Sequence, residues 1–139
     1  MKTVNLELSK KLKKAGYPQE SEFWWVDIPV DAFDLKMGFN WILKFGKYVH
    51  SDYEAEHVAS PTVDEILEQL PQNFKDEDYG ELTYYCYLSI NGWNIDYGTI
   101  EGEPIYDKSA ITLADAAAKM WLYLKENNLL EEKETIERG

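Results

Sequence analysis

The strongest constraint on the fold is an alternating stretch that meets the dipeptide Asn91-Gly92. Apolar residues occupy every second position from residue 82 to residue 90, and the alternation resumes over residues 93–97. Because successive side chains of a strand point to opposite faces, each segment is predicted to be a strand with one apolar face. Asn-Gly favours a two-residue type I′ turn, in which both residues have positive φ. The predicted cross-strand pairs of this hairpin are Ile90 with Trp93, Leu88 with Ile95, and Cys86 with Tyr97.

Two segments carry apolar residues at clear helical spacing. The first covers about residues 4–15 and ends in lysines followed by Gly16, which is typical of a helix C-terminus. The second begins at Thr112, a favourable N-cap, and keeps its apolar stripe to Leu124. Both are therefore predicted to be amphipathic helices.

A further helix is predicted before Pro71, which disfavours helix at Leu70. Its start has two interpretations. Either Ser60 is the N-cap and the proline after it takes the first helical position, or Thr62 and Glu65 form a capping box.

Residues 21–28 and 40–49 are rich in aromatic and β-branched residues and are predicted to form a first hairpin. Residues 50–59, 72–81 and 100–111 are interpreted as loops or connections. The resulting fold class is α+β: a four-stranded antiparallel sheet made of two hairpins with three helices, in the order αββαββα. We expect one domain over residues 1–130 and a frayed tail over residues 131–139.

The chain has 139 residues and a formal net charge of −12, although residues 1–14 hold five lysines and one acid. Such a balance argues against direct binding to nucleic acid or to an anionic membrane, since both need a cationic surface. Cys86 is the single cysteine, so no intrachain disulfide forms. We see neither a signal peptide nor a membrane span, and the expected location is cytoplasmic.

Three blocks in the same order carry a resemblance: LSKKLKKAGYPQESEF at residues 8–23, SPTVDEILEQLP at residues 60–71, and LADAAAKMWLYLKEN at residues 113–127. Together they resemble a group of short, uncharacterised bacterial and phage or prophage proteins. From the second helix onward, the layout is similar to small phage αβα-sandwich domains. The resemblance implies kinship with such accessory proteins and implies no catalytic residues.

The face of the second hairpin opposite its apolar side carries Tyr85, Tyr87, Asn94 and Asp96, with Tyr87 predicted to pair across from Asp96. One interpretation is that these tyrosines pack on a solvated or helix-covered sheet. The other is a recognition surface, since tyrosine is enriched in interfaces. These four residues are the candidate binding residues.

His50 and His57 flank three acidic residues and supply donor atoms that suit a divalent metal. Their spacing matches no metal motif that we know, so an exposed acidic loop is the favoured interpretation. We predict no metal site and no cofactor.

The sequence contains no GxSxG, HExxH, P-loop or GxGxxG motif. We therefore expect a non-enzymatic accessory or protein-interaction protein, with a protein partner or a second copy of the chain bound at a sheet face or edge. The alternative is a small-molecule-binding domain or hydrolytic enzyme with its site between sheet and helices.

Overall fold

The computed structural model describes residues 3–29, 39–46 and 57–130. Within these ranges there are three helices and seven strands. In chain order they are α1 (Leu6–Lys14), β1 (Phe23–Pro29), β2 (Phe39–Phe45), β3 (His57–Ala59), α2 (Val63–Glu68), β4 (Asn73–Asp76), β5 (Gly80–Ser89), β6 (Gly92–Gly98), β7 (Pro104–Ala110) and α3 (Leu113–Glu126). The predicted tail at residues 131–139 lies outside the described residues.

The strands form two antiparallel sheets, one in the order β2-β1-β3 and one in the order β4-β5-β6-β7. The α+β class, the three helices and both hairpins are confirmed. The prediction of a single four-stranded sheet is wrong, because the two hairpins belong to different sheets. A hairpin on its own leaves both of its outer edges open for pairing. Three segments interpreted as loops supply the strands that pair there: β3 extends the first hairpin, and β4 and β7 extend the second.

The register of the β5-β6 hairpin differs from the prediction by two residues. The turn consists of Ile90 and Asn91, neither of which has positive φ, and the positive φ of +126° belongs to Gly92 at the start of β6. A shift of two residues preserves the face on which each side chain lies. The observed pairs include Leu88 with Trp93, Cys86 with Ile95, and Tyr84 with Tyr97.

The start of α2 is the capping box. The side chain of Thr62 accepts from the backbone N–H of Glu65 at 3.2 Å, and Oε1 of Glu65 accepts from the N–H of Thr62 at 2.9 Å. Glu65 also accepts from the Ser21 hydroxyl at 2.7 Å and from the N–H of Glu22 at 3.2 Å. One carboxylate therefore holds α2 against the chain that enters β1.

The main core lies between α3, the other two helices and one face of the four-stranded sheet. Its centre is Tyr97, which is fully buried and whose hydroxyl donates to the carbonyl of Pro71 at 2.5 Å. The ring of Phe74 packs edge-on against Tyr97 with centroids 5.0 Å apart. Because the core side of the sheet faces α3, the other side of β5 and β6 is the outer face.

A second, smaller cluster of buried apolar residues consists of Trp24, Val26 and Ala59 of the three-stranded sheet. Trp25 is half-buried on the opposite face of β1, and its indole N–H donates to the carbonyl of Val4 at 3.1 Å. The Trp25 face of this strand therefore contacts the segment before α1.

Candidate functional site

The four candidate binding residues lie on the outer face, as the alternation predicts. Tyr85 and Tyr87 expose 41% and 45% of their surface, whereas Asp96 exposes only 5%. Their pairing differs from the prediction, because Tyr85 lies opposite Asp96 and Tyr87 lies opposite Asn94. Tyr87 is then a diagonal neighbour of Asp96, a separation that long aromatic side chains still bridge.

Asp96 is a buried carboxylate with an unsatisfied atom. Its Oδ1 is inaccessible to solvent and has no hydrogen-bond partner within the part of the chain that the structure describes. On the next strand Asp107, which is exposed, lies directly across from it. Burial and, to a lesser degree, the negative charge of Asp107 raise the pKa of Asp96, and the opposing effect of the Tyr87 hydroxyl does not cancel them.

The electrostatics also act on Tyr87. Its hydrogen bond to the Asp96 carboxylate is the largest cause that raises the pKa of Tyr87. Burial and the charges of Asp96 and Asp107 raise it further. The phenol therefore stays protonated at neutral pH and remains a hydrogen-bond donor.

These residues surround a partly open cavity of about 290 Å³, lined by Tyr85, Tyr87, Asp96, Gly102 and Pro104. The loop between β6 and β7 forms one wall. The N–H of Gly102 donates to the carbonyl of Thr99 at 2.8 Å, and the N–H of Thr99 donates to the carbonyl of Glu103 at 2.9 Å. These two bonds hold the loop closed, so that the Gly102–Pro104 segment stands beside the tyrosines. We call this cavity the Asp96 pocket.

Asn94 does not line the Asp96 pocket. Its Oδ1 accepts from the hydroxyl of Ser89 at 2.9 Å, which makes it part of the bonding within the hairpin. Conversely, Gly102 and Pro104 were missed, since the only sequence signal they carry is that of a connection. A buried carboxylate, a nearby second carboxylate and two tyrosine rings offer a cation both charge and aromatic contact.

Of the two histidines considered as metal donors, the structure describes only His57. His57 lies on β3 with its ring 5.4 Å from that of Trp24, and its carbonyl accepts from Nζ of Lys13 at 3.0 Å. His50 lies outside the described residues. Over residues 3–29, 39–46 and 57–130, no group of three His, Cys, Asp or Glu side chains is placed to hold a metal ion. In the same ranges, no helix has the length and apolar character that a membrane crossing requires.

A second, wider concavity of about 900 Å³ lies between α2 and the β4-β5 side of the larger sheet. It combines apolar and acidic groups with one tyrosine. The lining residues are Asp64, Leu67, Glu68, Leu70, Pro71, Gln72, Asn73, Thr83 and Tyr84. We call it the α2 groove.

None of the family models, curated proteins or solved structures compared with this chain matches it.

Proposed function

We propose that this chain is a non-enzymatic, phage- or prophage-type accessory protein that acts in the cytoplasm by binding a positively charged protein partner through the outer face of its larger sheet. The three sequence blocks that resemble such proteins support the accessory role. The net charge of −12 supports a basic partner, because complementary charge accelerates and orients association.

The observation that carries the proposal is the burial of Asp96 beneath two exposed tyrosines. An unsatisfied buried carboxylate is destabilising. Folded proteins tolerate such groups mainly where function needs them. Tyr85 and Tyr87 supply the large, rigid, amphipathic contact area that protein interfaces favour.

Capture of host proteins on the immobilised chain tests the proposal. The bait is compared with a Tyr85→Ala/Tyr87→Ala double variant and with Tyr79→Ala, a control tyrosine that is 54% exposed outside the Asp96 pocket. We expect a basic protein to be captured by the wild type and by Tyr79→Ala, and to be lost from the double variant. Equal capture by all three baits would refute the assignment of this face.

Light scattering distinguishes a second copy of the chain as the partner. If the wild type is a dimer at micromolar concentration and the double variant is a monomer, the outer face joins two copies and the basic partner is wrong.

The α2 groove favours one alternative function, a small-molecule-binding domain or hydrolytic enzyme with its site between sheet and helices. Its volume of about 900 Å³ is in the range of ligand sites, and acidic and tyrosine side chains line it together. A metabolite screen by thermal shift tests this candidate. A ligand that stabilises the wild type but not Leu67→Trp, in which the added ring fills the groove, would support it.

A further inference from the structure

We infer that the Asp96 pocket receives the guanidinium group of an arginine side chain from the partner. The inference rests on the proposed function and names the group that the outer face recognises. Asp96 and the two tyrosine rings provide the three contacts on which it stands.

The first step is the missing hydrogen-bond partner of one Asp96 oxygen. Its Oδ1 is buried without a hydrogen bond, and the residue lines the pocket between the tyrosines. A buried carboxylate is stabilised by a charged donor that bonds both oxygens, and guanidinium does this with two parallel N–H groups. Because Oδ1 is inaccessible to solvent, arginine reaches it only when the side chains that cover it move aside, and it then satisfies the atom that the free protein leaves unpaired.

The second step is the choice between guanidinium and ammonium. Guanidinium is planar, weakly hydrated and stacks on aromatic faces, whereas ammonium is a compact and strongly hydrated charge. Tyr85 and Tyr87 border the pocket, and Pro104 adds an apolar surface. Such walls favour the more weakly hydrated cation, because less hydration is lost on entry.

The third step concerns the surrounding charge. Asp107 lies across from Asp96 on β7 and is exposed, so a second negative charge lies beside the pocket although Asp107 does not line it. Entry of a cation removes the repulsion between the two carboxylates. The pocket thus selects against anionic groups as well as attracting cations.

The chain's own single arginine is Arg138, which lies outside the described residues. Competition by this arginine must be separated from binding of a partner's arginine. The Arg138→Ala variant serves this purpose.

The test is an NMR titration of the full ¹⁵N-labelled chain with Nα-acetyl-arginine amide and, separately, with Nα-acetyl-lysine amide at constant salt. We expect the arginine probe to shift the amide signals of Asp96, Tyr85 and Gly102, and to bind more tightly than the lysine probe. Asp96→Asn should weaken arginine binding about tenfold or more, as loss of a charged hydrogen bond does. The exposed Asp78→Asn, which makes the same charge change in the β4-β5 turn, should not.

Several results would overturn the inference: shifts that map elsewhere, lysine binding as tight as arginine binding, or equal arginine binding by Asp96→Asn. Tighter binding by Arg138→Ala than by the wild type would overturn it in favour of the chain's own arginine. If Asp96→Asn does not fold, the shift map and the comparison of the two probes on the wild type decide. Capture of a basic protein that depends on the tyrosines, without arginine binding, would refute the arginine site but leave the proposed function standing. Arginine binding without capture of a partner would refute the proposed function.

Discussion

The hydroxyl of Tyr106 donates a hydrogen bond of 2.5 Å to Oδ1 of Asp76 and so joins β7 to β4, the two edge strands of the larger sheet. In a flat sheet, three strand spacings of about 4.8 Å would separate these edges. The contact therefore requires the twisted sheet to curve toward its core side, so that its edges approach there. The ring of Phe74 stacks 6.2 Å from that of Tyr106 and fills the space between them.

Tyr106→Phe should destabilise the protein by about 1–3 kcal/mol, because the buried Asp76 carboxylate loses a hydrogen bond while the ring packing is kept. Urea unfolding followed by tryptophan fluorescence measures the change. Tyr79→Phe, an exposed tyrosine in the adjacent turn, is the control and should stay within about 0.5 kcal/mol of the wild type. Equal stability of the two variants would contradict this role of the link between the edges.

The hydrogen bond between Tyr106 and Asp76 also predicts that the stability depends on pH. Burial tends to raise the pKa of Asp76, but hydrogen bonds from Tyr106 and from the N–H groups of Asp78 and Tyr79 outweigh it and lower the pKa. A lowered folded-state pKa gives stability that is fully present above the unfolded pKa of about 3.9 and is lost as the pH falls through the folded value. The stability difference between wild type and Tyr106→Phe should therefore be larger at pH 6 than at pH 2.5. A difference that does not vary with pH would exclude this linkage.

Asp96→Asn should change the stability in the opposite direction to Tyr106→Phe. Because the pKa of Asp96 is raised in the folded state, its contribution to stability is greatest at acid pH and falls as the pH rises through the folded pKa. The variant escapes this loss, and at pH 7 its free energy of unfolding is expected to exceed that of the wild type by about 1 kcal/mol or more. Urea unfolding at pH 7 and at pH 4 should show the advantage shrinking in acid.

The control for this experiment is Asp78→Asn, whose carboxylate is exposed and which should give no comparable gain. A wild type that is more stable than Asp96→Asn at pH 7 would show that the buried carboxylate supports the fold. It would then not be a group kept for binding.

The sequence predicted the helices and strands that have a clear pattern of apolar residues within their own length. Helix α3 has a full apolar stripe, and positions 82–90, of which β5 contains 82–89, alternate strictly. Strands β3 and β4 have only three and four residues, and β7 begins at a proline and includes Asp107 and Ser109. Such edge strands are defined by pairing with a neighbour, which no local pattern records.

The candidate site divides in the same way. Alternation alone places Tyr85, Tyr87 and Asp96 on one face. The burial of Asp96 was not predictable, because it depends on the loop at Gly102 and on pairing with β7, a strand that the sequence pattern did not indicate. Charge and aromatic content therefore suggested a surface, and only the tertiary structure turned it into a pocket.

Gly92→Ala should destabilise the hairpin more than any other glycine substitution in the larger sheet. A Cβ at this position would lie 2.4 Å from the carbonyl oxygen of Ala110, and its φ of +126° is strained for any L-residue with a side chain. We expect a loss of about 2 kcal/mol or more in urea unfolding. Gly102→Ala is the matched control, because its φ is also positive at +88° but no atom beyond its chain neighbours lies within 4 Å of the added carbon. It should cost only about 1 kcal/mol. Equal losses would mean that backbone strain alone, and not the contact with β7, sets the requirement for glycine where β6 begins.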